Sequence, residues 1–368
     1  MANSSPSSSS STSDASRLPA FLRQTKADIK AKFVDLEWQQ RHRLLQGAQS
    51  PTSPNDTPSP WSRLPGDVVS TRNRYVNVEP FAQNRIHLQV VDGANDYINA
   101  SPIQLGRRRY IATQGPKEVN VNHFYRMVAG EAKTTHPTVV VMLTQTHESG
   151  REKCFQYYPL SNAESPLTIP PDPGFHDDFH GEVRLQSVRD DPTTRSQLRT
   201  LQLRTSKAGS DPHEMEIQHL LFSGWPDFLV PEGDDRAALI ELVRLSAELN
   251  HEREPAEMES TASTSNEQPD ESSITARIIH CSAGVGRSGT FIALDYLLSL
   301  LHSGQLDHVP PDRDPIAETV DLLRKQRMMM VQGESQFLFL YDVMREQMLA
   351  RVQKWEHGGE RERIGVAL

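Results

Sequence analysis

From Ile278 to Phe291 the chain reads Ile-Ile-His-Cys-Ser-Ala-Gly-Val-Gly-Arg-Ser-Gly-Thr-Phe, and no other stretch constrains the fold as much. The apolar pair Ile278–Ile279 delivers His280 and Cys281 into a loop of small residues that ends at Arg287, and an apolar run of helical spacing follows from Phe291 to Leu301. Strand, glycine-rich loop and helix N-terminus in that order gather backbone N–H groups around an anion. Gly284, Gly286 and Gly289 let the chain curl close to a phosphate, so the backbone of Ser282, Ala283, Gly284, Val285 and Gly286 is the candidate cradle. Arg287 adds a planar fork for two phosphate oxygens. The positive potential there favours the thiolate form of Cys281, which is the nucleophile. A glycine-rich loop alone is usually a turn, and a lone cysteine is usually a small core residue. The combination Cys-x5-Arg-Ser is far more specific, and it implies thiolate attack on phosphorus. The Gly-Lys-Ser/Thr ending of a nucleotide-binding P-loop is absent.

Composition sets outer bounds. The 368 residues suffice for one large domain or two ordinary ones. The net charge of −9 argues against a general nucleic-acid role, and it means that an anionic substrate needs positive potential made locally. Two cysteines, Cys154 and Cys281, are too few for a disulfide scaffold or a four-thiolate zinc site and fit a reducing compartment. No metal or other cofactor is expected. The chain has no run of about 18 apolar residues and no signal-peptide core, so we expect a soluble, intracellular protein, cytoplasmic or nuclear, with no membrane partner.

Read in order, residues 1–16 are a serine-dominated tail expected to be disordered. Leu22, Ile29, Phe33 and Leu36 then recur at helical spacing, which predicts an N-terminal helical part over 17–47 packed on the domain. A proline-punctuated linker at 50–62 carries four Ser-Pro or Thr-Pro dipeptides, open to proline-directed phosphorylation. Strands are predicted at Ile86 to Val91, Asp96 to Ala100, Tyr110 to Pro116, Val139 to Leu143, Cys154 to Tyr158, Val183 to Val188, Leu198 to Leu203 and Met215 to Phe222. Helices are predicted at His123 to Ala129, Asp235 to Leu249, Gly289 to His302, Ile316 to Lys325 and Gln336 to Val352. The polar stretches 161–179 and 251–273 read as surface inserts, and 351–368 as a C-terminal tail after a domain spanning 17–350. Strands in the middle and helices toward the end argue for an α+β or mixed α/β fold.

Displacing an alcohol or phenol from phosphate needs a proton donor, because the bare oxyanion leaves poorly. Asp227, in Gly224-Trp225-Pro226-Asp227-Phe228-Leu229-Val230-Pro231, sits in a loop bounded by prolines and anchored by an aromatic, as suits a mobile lid. Taken alone, Trp-Pro-Asp is more often an ordinary turn. Ser288, directly after Arg287, is placed to hydrogen-bond the Cys281 sulfur.

The stretch His-Cys-x5-Arg-Ser resembles the signature of the cysteine-dependent protein tyrosine phosphatases, and its surroundings look like the classical, non-receptor, phosphotyrosine-specific branch. The resemblance runs from about Asn73 to Tyr341 and covers in order Asn73-Arg74-Tyr75, Asp96-Tyr97-Ile98-Asn99-Ala100, Thr113-Gln114-Gly115-Pro116, Trp225-Pro226-Asp227, the signature loop and Gln332 to Gln336. It implies that family's fold: a central twisted mixed sheet flanked by helices, with the catalytic loop between a strand and a helix N-terminus. It implies Asp227 as general acid, Gln332 as the water-orienting residue with Gln336 beside it, and Glu148 as the carboxylate that holds Arg287. Lys153 is implied to approach the lid aspartate, and Tyr75 to wall a pocket whose depth selects phosphotyrosine. The partners implied are phosphotyrosine proteins in intracellular signalling, MAP-kinase activation loops among them, with the enzyme working as a monomer.

The chain departs from the family pattern at several positions. Asn77 stands where an Asp usually grips the substrate backbone, so its hold is weaker. Met329 replaces a gateway Gly and is expected to close a secondary phosphate site. Leu229 replaces a lid Gly, and Gly333 replaces a Thr after Gln332. Two further readings stand beside the phosphatase: a catalytically weak phosphotyrosine-binding module, and a redox-regulated enzyme whose Cys281 is open to peroxide.

Overall fold

The structure is a computed structural model describing residues 17–49, 57–131, 136–226, 229–250 and 275–365, with side chains through 353. The predicted tail 1–16, the insert 251–273, part of the linker and Asp227 lie outside these residues.

One mixed sheet organises the domain. Its strands are β1 (Ala100–Leu105), β2 (Arg108–Thr113), β3 (Thr138–Met142), β6 (Leu167–Ile169), β7 (His180–Asp191), β8 (Ser196–Ser206), β9 (His213–Phe222) and β10 (Arg277–His280). They lie in the order β1-β2-β10-β3-β9-β8-β7-β6, and the hairpin strands β4 (His147–Glu148) and β5 (Arg151–Glu152) stand apart. The centre is parallel, β10 pairing with both β2 and β3 and β3 with β9, while both flanks are antiparallel. A strand buried on both faces needs no polar alternation, which is why Val139-Val140-Val141 reads as a continuous apolar run. Its side chains divide by the two-residue period: Val139, Val141 and Ile279 join one core, and Val140, Met142 and Ile278 join the other.

The first core is covered by α1 (Lys26–Ala48), α4 (Gly233–Leu249), α5 (Gly286–His302), α6 (Pro315–Gln326) and α7 (Glu334–Gly365). The helix α2 (Asp67–Arg72) is short, and α3 (Val121–Glu131) covers the second core. Helix α1 starts at a capping box in which Thr25 and Asp28 satisfy each other's backbone N–H groups. It buries Ile29, Phe33 and Leu36, the periodic positions of the sequence. Burying each such side chain contributes about 1.5–3 kcal/mol.

Several boundaries differ from expectation. Ile86 to Val91 is extended but not a strand: Ile86 and Leu88 are buried, yet pairing is limited to one bridge, His87 with Tyr97. Cys154 to Tyr158 is irregular chain, and its apolar character reflects Tyr157 and Tyr158 buried beneath the sheet. Helix α5 begins at Gly286, three residues earlier than predicted, and α7 continues to Gly365 rather than ending near Val352. The stretch 161–179 is not a mere surface insert. It supplies β6 and buries Ile169, Phe175 and Phe179, and its Asp177 closes on Arg126 of α3 through hydrogen bonds of 2.6 and 2.8 Å.

Candidate active site

The loop Cys281–Val285 connects the end of β10, at the middle of the sheet, to the start of α5. Because side chains alternate along β10, His280 faces the second core while Cys281 turns toward the first. The N-cap position, Val285, makes no side-chain cap, so no capping oxygen competes for the amides of the first turn of α5. Gly284 has φ +71° and its Cα lies so near Thr113 that a Cβ would stand 2.1 Å from the Thr113 carbonyl oxygen, so only glycine fits. The Gly284 N–H donates to Cys281 Sγ (3.3 Å), and the sulfur is buried.

Arg287 sits on the first turn of α5. Its guanidinium donates to Glu148 Oε1 and Oε2 (2.6 and 2.8 Å) and to the Leu143 carbonyl (3.0 Å). Glu148 receives further hydrogen bonds from Thr144 Oγ1 and the Gln145 N–H. Burial alone raises its pKa, but the Arg287 bonds and charge outweigh that and hold it below the usual carboxylate value. The fork is therefore fixed in one rotamer by a charged, bidentate partner.

The reverse side of the loop is clasped by Arg327, which sequence reasoning missed. Fully buried, it donates to the carbonyls of Gly284 (2.9 Å) and Ala283 (3.1 Å), to Asn99 Oδ1 (2.7 Å) and to Ser101 Oγ (3.2 Å). Holding those carbonyls from behind leaves the amides of the loop to serve its concave side. A second buried arginine, Arg324, holds the carbonyls of Met330 and Val331 (3.0 and 2.9 Å), and the Val331 N–H donates to the Val285 carbonyl (3.2 Å). The segment carrying Gln332 is thus tied to the loop. A methyl group at Gly286 would stand 3.1 Å from the Gln336 amide and 3.4 Å from Gln332 Oε1, so both glutamines lie against the first turn of α5.

His280 is held by a relay. Its Nδ1 faces the Cys281 carbonyl (3.2 Å), which can only accept, so Nδ1 carries the proton. Nε2 then accepts from the Tyr157 hydroxyl (2.7 Å), which in turn accepts from His219 Nε2 (3.0 Å). Burial depresses both imidazoles, His280 to about 4 and His219 well below 6.5, so the relay is neutral at physiological pH.

On the other side, Ser282 Oγ donates to the Lys153 carbonyl (2.8 Å), so it accepts from Tyr75 OH (2.8 Å). That bond places the half-buried Tyr75 ring beside the loop, and Lys153 next to it. Arg74, beside Tyr75, fixes the segment by donating to the carbonyls of Gly115 and Pro116 (3.0 and 2.8 Å). Asn77 is exposed in the turn that follows.

One expectation changes. Ser288 is fully buried, but its Oγ makes no hydrogen bond among the described residues, and the sulfur receives the Gly284 amide rather than the Ser288 hydroxyl. Of the lid, the ends are described: Trp225 is buried against the first core and its indole N–H donates to the Leu229 carbonyl (3.1 Å), while Leu229 is exposed. Asp227 lies outside the described residues.

A cysteine on a strand–loop–helix turn, with a carboxylate-clamped arginine six residues on and a mixed sheet behind, defines a cysteine-based phosphatase architecture. The comparisons agree, because residues 69–346 match the family model for protein-tyrosine phosphatase. The chain belongs to that family. It is 31% identical to tyrosine-protein phosphatase 1 of Saccharomyces cerevisiae, over 88% of this chain and 95% of that protein. It is equally 31% identical to tyrosine-protein phosphatase 2 of Schizosaccharomyces pombe, over 86% of this chain but only 39% of that longer relative. A solved structure of PTPN18 in complex with HER2 phosphopeptides superimposes with a TM-score of 0.64 at 26% identity, covering 92% of this chain and 99% of that one. No helix among the described residues is long and apolar enough to cross a membrane.

Proposed function

We propose that the protein hydrolyses phosphotyrosine in proteins through a cysteinyl-phosphate intermediate. The observation that carries this reading is the Arg287 fork, locked by Glu148 at the N-terminus of α5, beside a Cys281 sulfur that already accepts a loop amide. Cys281 Sγ attacks phosphorus, the bond from phosphorus to the tyrosyl oxygen breaks, and Asp227 gives that oxygen its proton. Arg287 and the amides of the loop stabilise the charge of the transferring phosphoryl group. Water, oriented by Gln332 with Gln336, then attacks the thiophosphate, Asp227 takes the proton back, and inorganic phosphate leaves. Ser288, with an unpartnered hydroxyl, is available to the sulfur as leaving group in this second step. His280, kept neutral, orients the Cys281 carbonyl and leaves the charge balance of the loop alone.

Tyr75 lines the entrance, where a phosphotyrosine ring stacks and a shorter phosphoserine does not reach the sulfur. Asn77 accepts from the peptide backbone and Lys153 approaches Asp227. The work is intracellular signalling in cytoplasm or nucleus, with MAP-kinase activation loops the substrate class to examine first. The chemistry needs one chain and no cofactor. A phosphotyrosine-binding module without turnover requires loss of the nucleophile, the arginine or the acid, and Cys281, Arg287 and Asp227 are all present.

An aryl phosphate assayed in chelator tests the reading. Cys281→Ser loses turnover entirely, and Asp227→Ala lowers kcat by about 10²–10⁴-fold while still binding phosphotyrosine peptides. Undiminished turnover in Cys281→Ser overturns the mechanism. Phosphoproteomics on material captured by Asp227→Ala identifies the substrates.

A further inference from the structure

Helix α1 has a second apolar face that the other described residues leave exposed. Ala27, Ala31, Val34, Trp38, Arg41, Leu45 and Ala48 follow one another at alternating spacings of four and three, the seam of a coiled coil, and all are exposed. Val34 is 50%, Trp38 62% and Leu45 67% exposed, whereas the opposite face, with Ile29, Phe33 and Leu36, is buried. Isolated surface apolar residues need no account, but six of seven seam positions along a helix about 35 Å long do. None of these residues belongs to the catalytic site.

We propose that this face pairs with the same face of a second copy of the chain, the two helices running antiparallel. The charges choose both partner and direction. Exposed Asp28, Asp35 and His42 run along one edge of the stripe, acidic in its first half, and exposed Arg41 sits within the stripe in its second half. Lys30, on the other edge, is engaged by Glu334 of its own chain (2.9 Å). A parallel pair brings one edge against the other and sets Asp35 against Lys30 and His42 against Glu37, whose charges are already engaged within their own chain by Glu334 and by Arg324 (2.8 Å). An antiparallel pair with its two-fold axis between Gln39 and Gln40 sets Asp35 near Arg41 and His42 of the other copy. The same axis brings Val34 opposite Leu45, Ala31 opposite Ala48, and Trp38 opposite Arg41. Within one chain Arg41 already lies 5.3 Å over the Trp38 ring, and in the pair each ring gains the Arg41 of its neighbour on the open side. The alanines let the helix ends approach closely. A chain read as a monomer from its catalytic motifs is on this view a dimer through a surface the chemistry does not touch.

Sedimentation velocity of the full chain across a micromolar concentration series tests this, read against the 41.4 kDa of one chain. A species of twice that mass is expected at high concentration. Trp38→Glu and Leu45→Glu each raise its dissociation constant by about thirty-fold or more while turnover of an aryl phosphate stays at wild type, which shows that the variants fold. Asp35→Arg weakens the dimer and Asp35→Arg with Arg41→Asp restores it. Ala31→Cys with Ala48→Cys gives a disulfide-linked dimer on oxidation whereas Ala31→Cys alone does not, since in an antiparallel pair position 31 faces position 48 of the other copy and lies about 25 Å along the helix from its own counterpart. A 41.4 kDa particle at every concentration, or a dimer indifferent to Trp38→Glu and Leu45→Glu, overturns the proposal.

Discussion

Arg126 and Arg327 are both withdrawn from water, on opposite faces of the sheet, and they are satisfied in opposite ways. Arg126 meets a carboxylate: Asp177 takes two of its N–H groups, and the rings of Phe175 and Phe179 lie 4.4 and 4.2 Å from its guanidinium carbon. Arg327 meets neutral oxygens, two of them carbonyls of the catalytic loop. Burial pushes Arg327 down to about 10, which still leaves it protonated at neutral pH. One buried charge is cancelled on the spot and ties the 161–179 stretch to α3. The other is left uncancelled beneath Cys281, where a chain of net charge −9 needs positive potential. The contrast separates an arginine that serves stability from one that serves the anion site.

Substitution should break the two arginines apart. Arg126→Ala leaves the Asp177 carboxylate buried, with Lys207 at 3.5 Å as its remaining ion partner, and should cost about 3–5 kcal/mol in urea unfolding. Turnover per folded molecule should stay close to wild type. Arg327→Met should lower kcat/KM by about 10²-fold, because the loop carbonyls lose their clamp and the site its charge. Its stability cost should be smaller, about 1–3 kcal/mol. Arg327→Lys, which restores the charge without the fork, tells the two contributions apart by how much of kcat/KM it recovers. If Arg327→Met turns over normally, the contrast between the two faces is wrong.

Acid sharpens the comparison on a smaller scale. Burial is the leading cause that depresses His123 on the far face to about 4, as it does His280 behind the loop. His219 is held still further below its ordinary value for the same reason. A histidine with a folded pKa below its unfolded 6.5 is protonated first in the unfolded chain. Stability is therefore intact above about 6.5 and falls as pH drops toward 4, by about 1.4 kcal/mol per pH unit for each such histidine. Asp177 and Glu148, both depressed, add their loss only as pH falls through their folded pKa values, below the usual carboxylate range. Urea midpoints between pH 7 and 4.5 should decline, and His123→Gln should remove one proton from that slope while leaving the two histidines behind the loop to supply the rest. A flat profile in wild type would rule out neutral burial.

How much of this was legible in the chain depended on distance along it. The loop could be read because its chemistry is local: Cys281, Arg287 and the glycines at 284, 286 and 289 lie within nine residues, and a backbone cradle needs only the residues that form it. Glu148 was reached through the family resemblance, since nothing near it in sequence points to Arg287. Arg327, Tyr157 and His219 were missed because each binds a carbonyl or ring far off in the sequence, and Arg324, whose carbonyls lie six and seven residues on, because a lone arginine in a helix carries no spacing signal. Ile86 to Val91 shows the converse error: one-sided burial imposes the alternation of a strand on a segment with a single bridge. The 161–179 stretch was misread because Pro, Asp and Ser outnumber the three anchors, Ile169, Phe175 and Phe179, that actually dock it.

The smallest expected effect concerns the rim of the loop, where Met329 and Val331 adopt φ +61° and +55°, left-handed values that side chains resist. They persist because the backbone around them is held on both sides: Arg324 takes the Met330 and Val331 carbonyls, and the Met329 N–H reaches Gln40 of α1 (3.4 Å). Glycine at 329 accepts this conformation freely but adds freedom to the unfolded chain worth about 0.4–1 kcal/mol, so relief and loss nearly cancel. Met329→Gly should therefore leave the urea midpoint and the kcat for an aryl phosphate close to wild type. What should change is the gateway, because removing the half-buried side chain opens the space where a second phosphate group would enter. The preference for tandem over single phosphotyrosine peptides, near unity in the wild type, should rise several-fold in kcat/KM. A strong tandem preference already present in the wild type would show that Met329 does not close that site, and an unchanged ratio in the variant would show that the rim, unlike the Arg327 clamp beneath it, has no part in recognition.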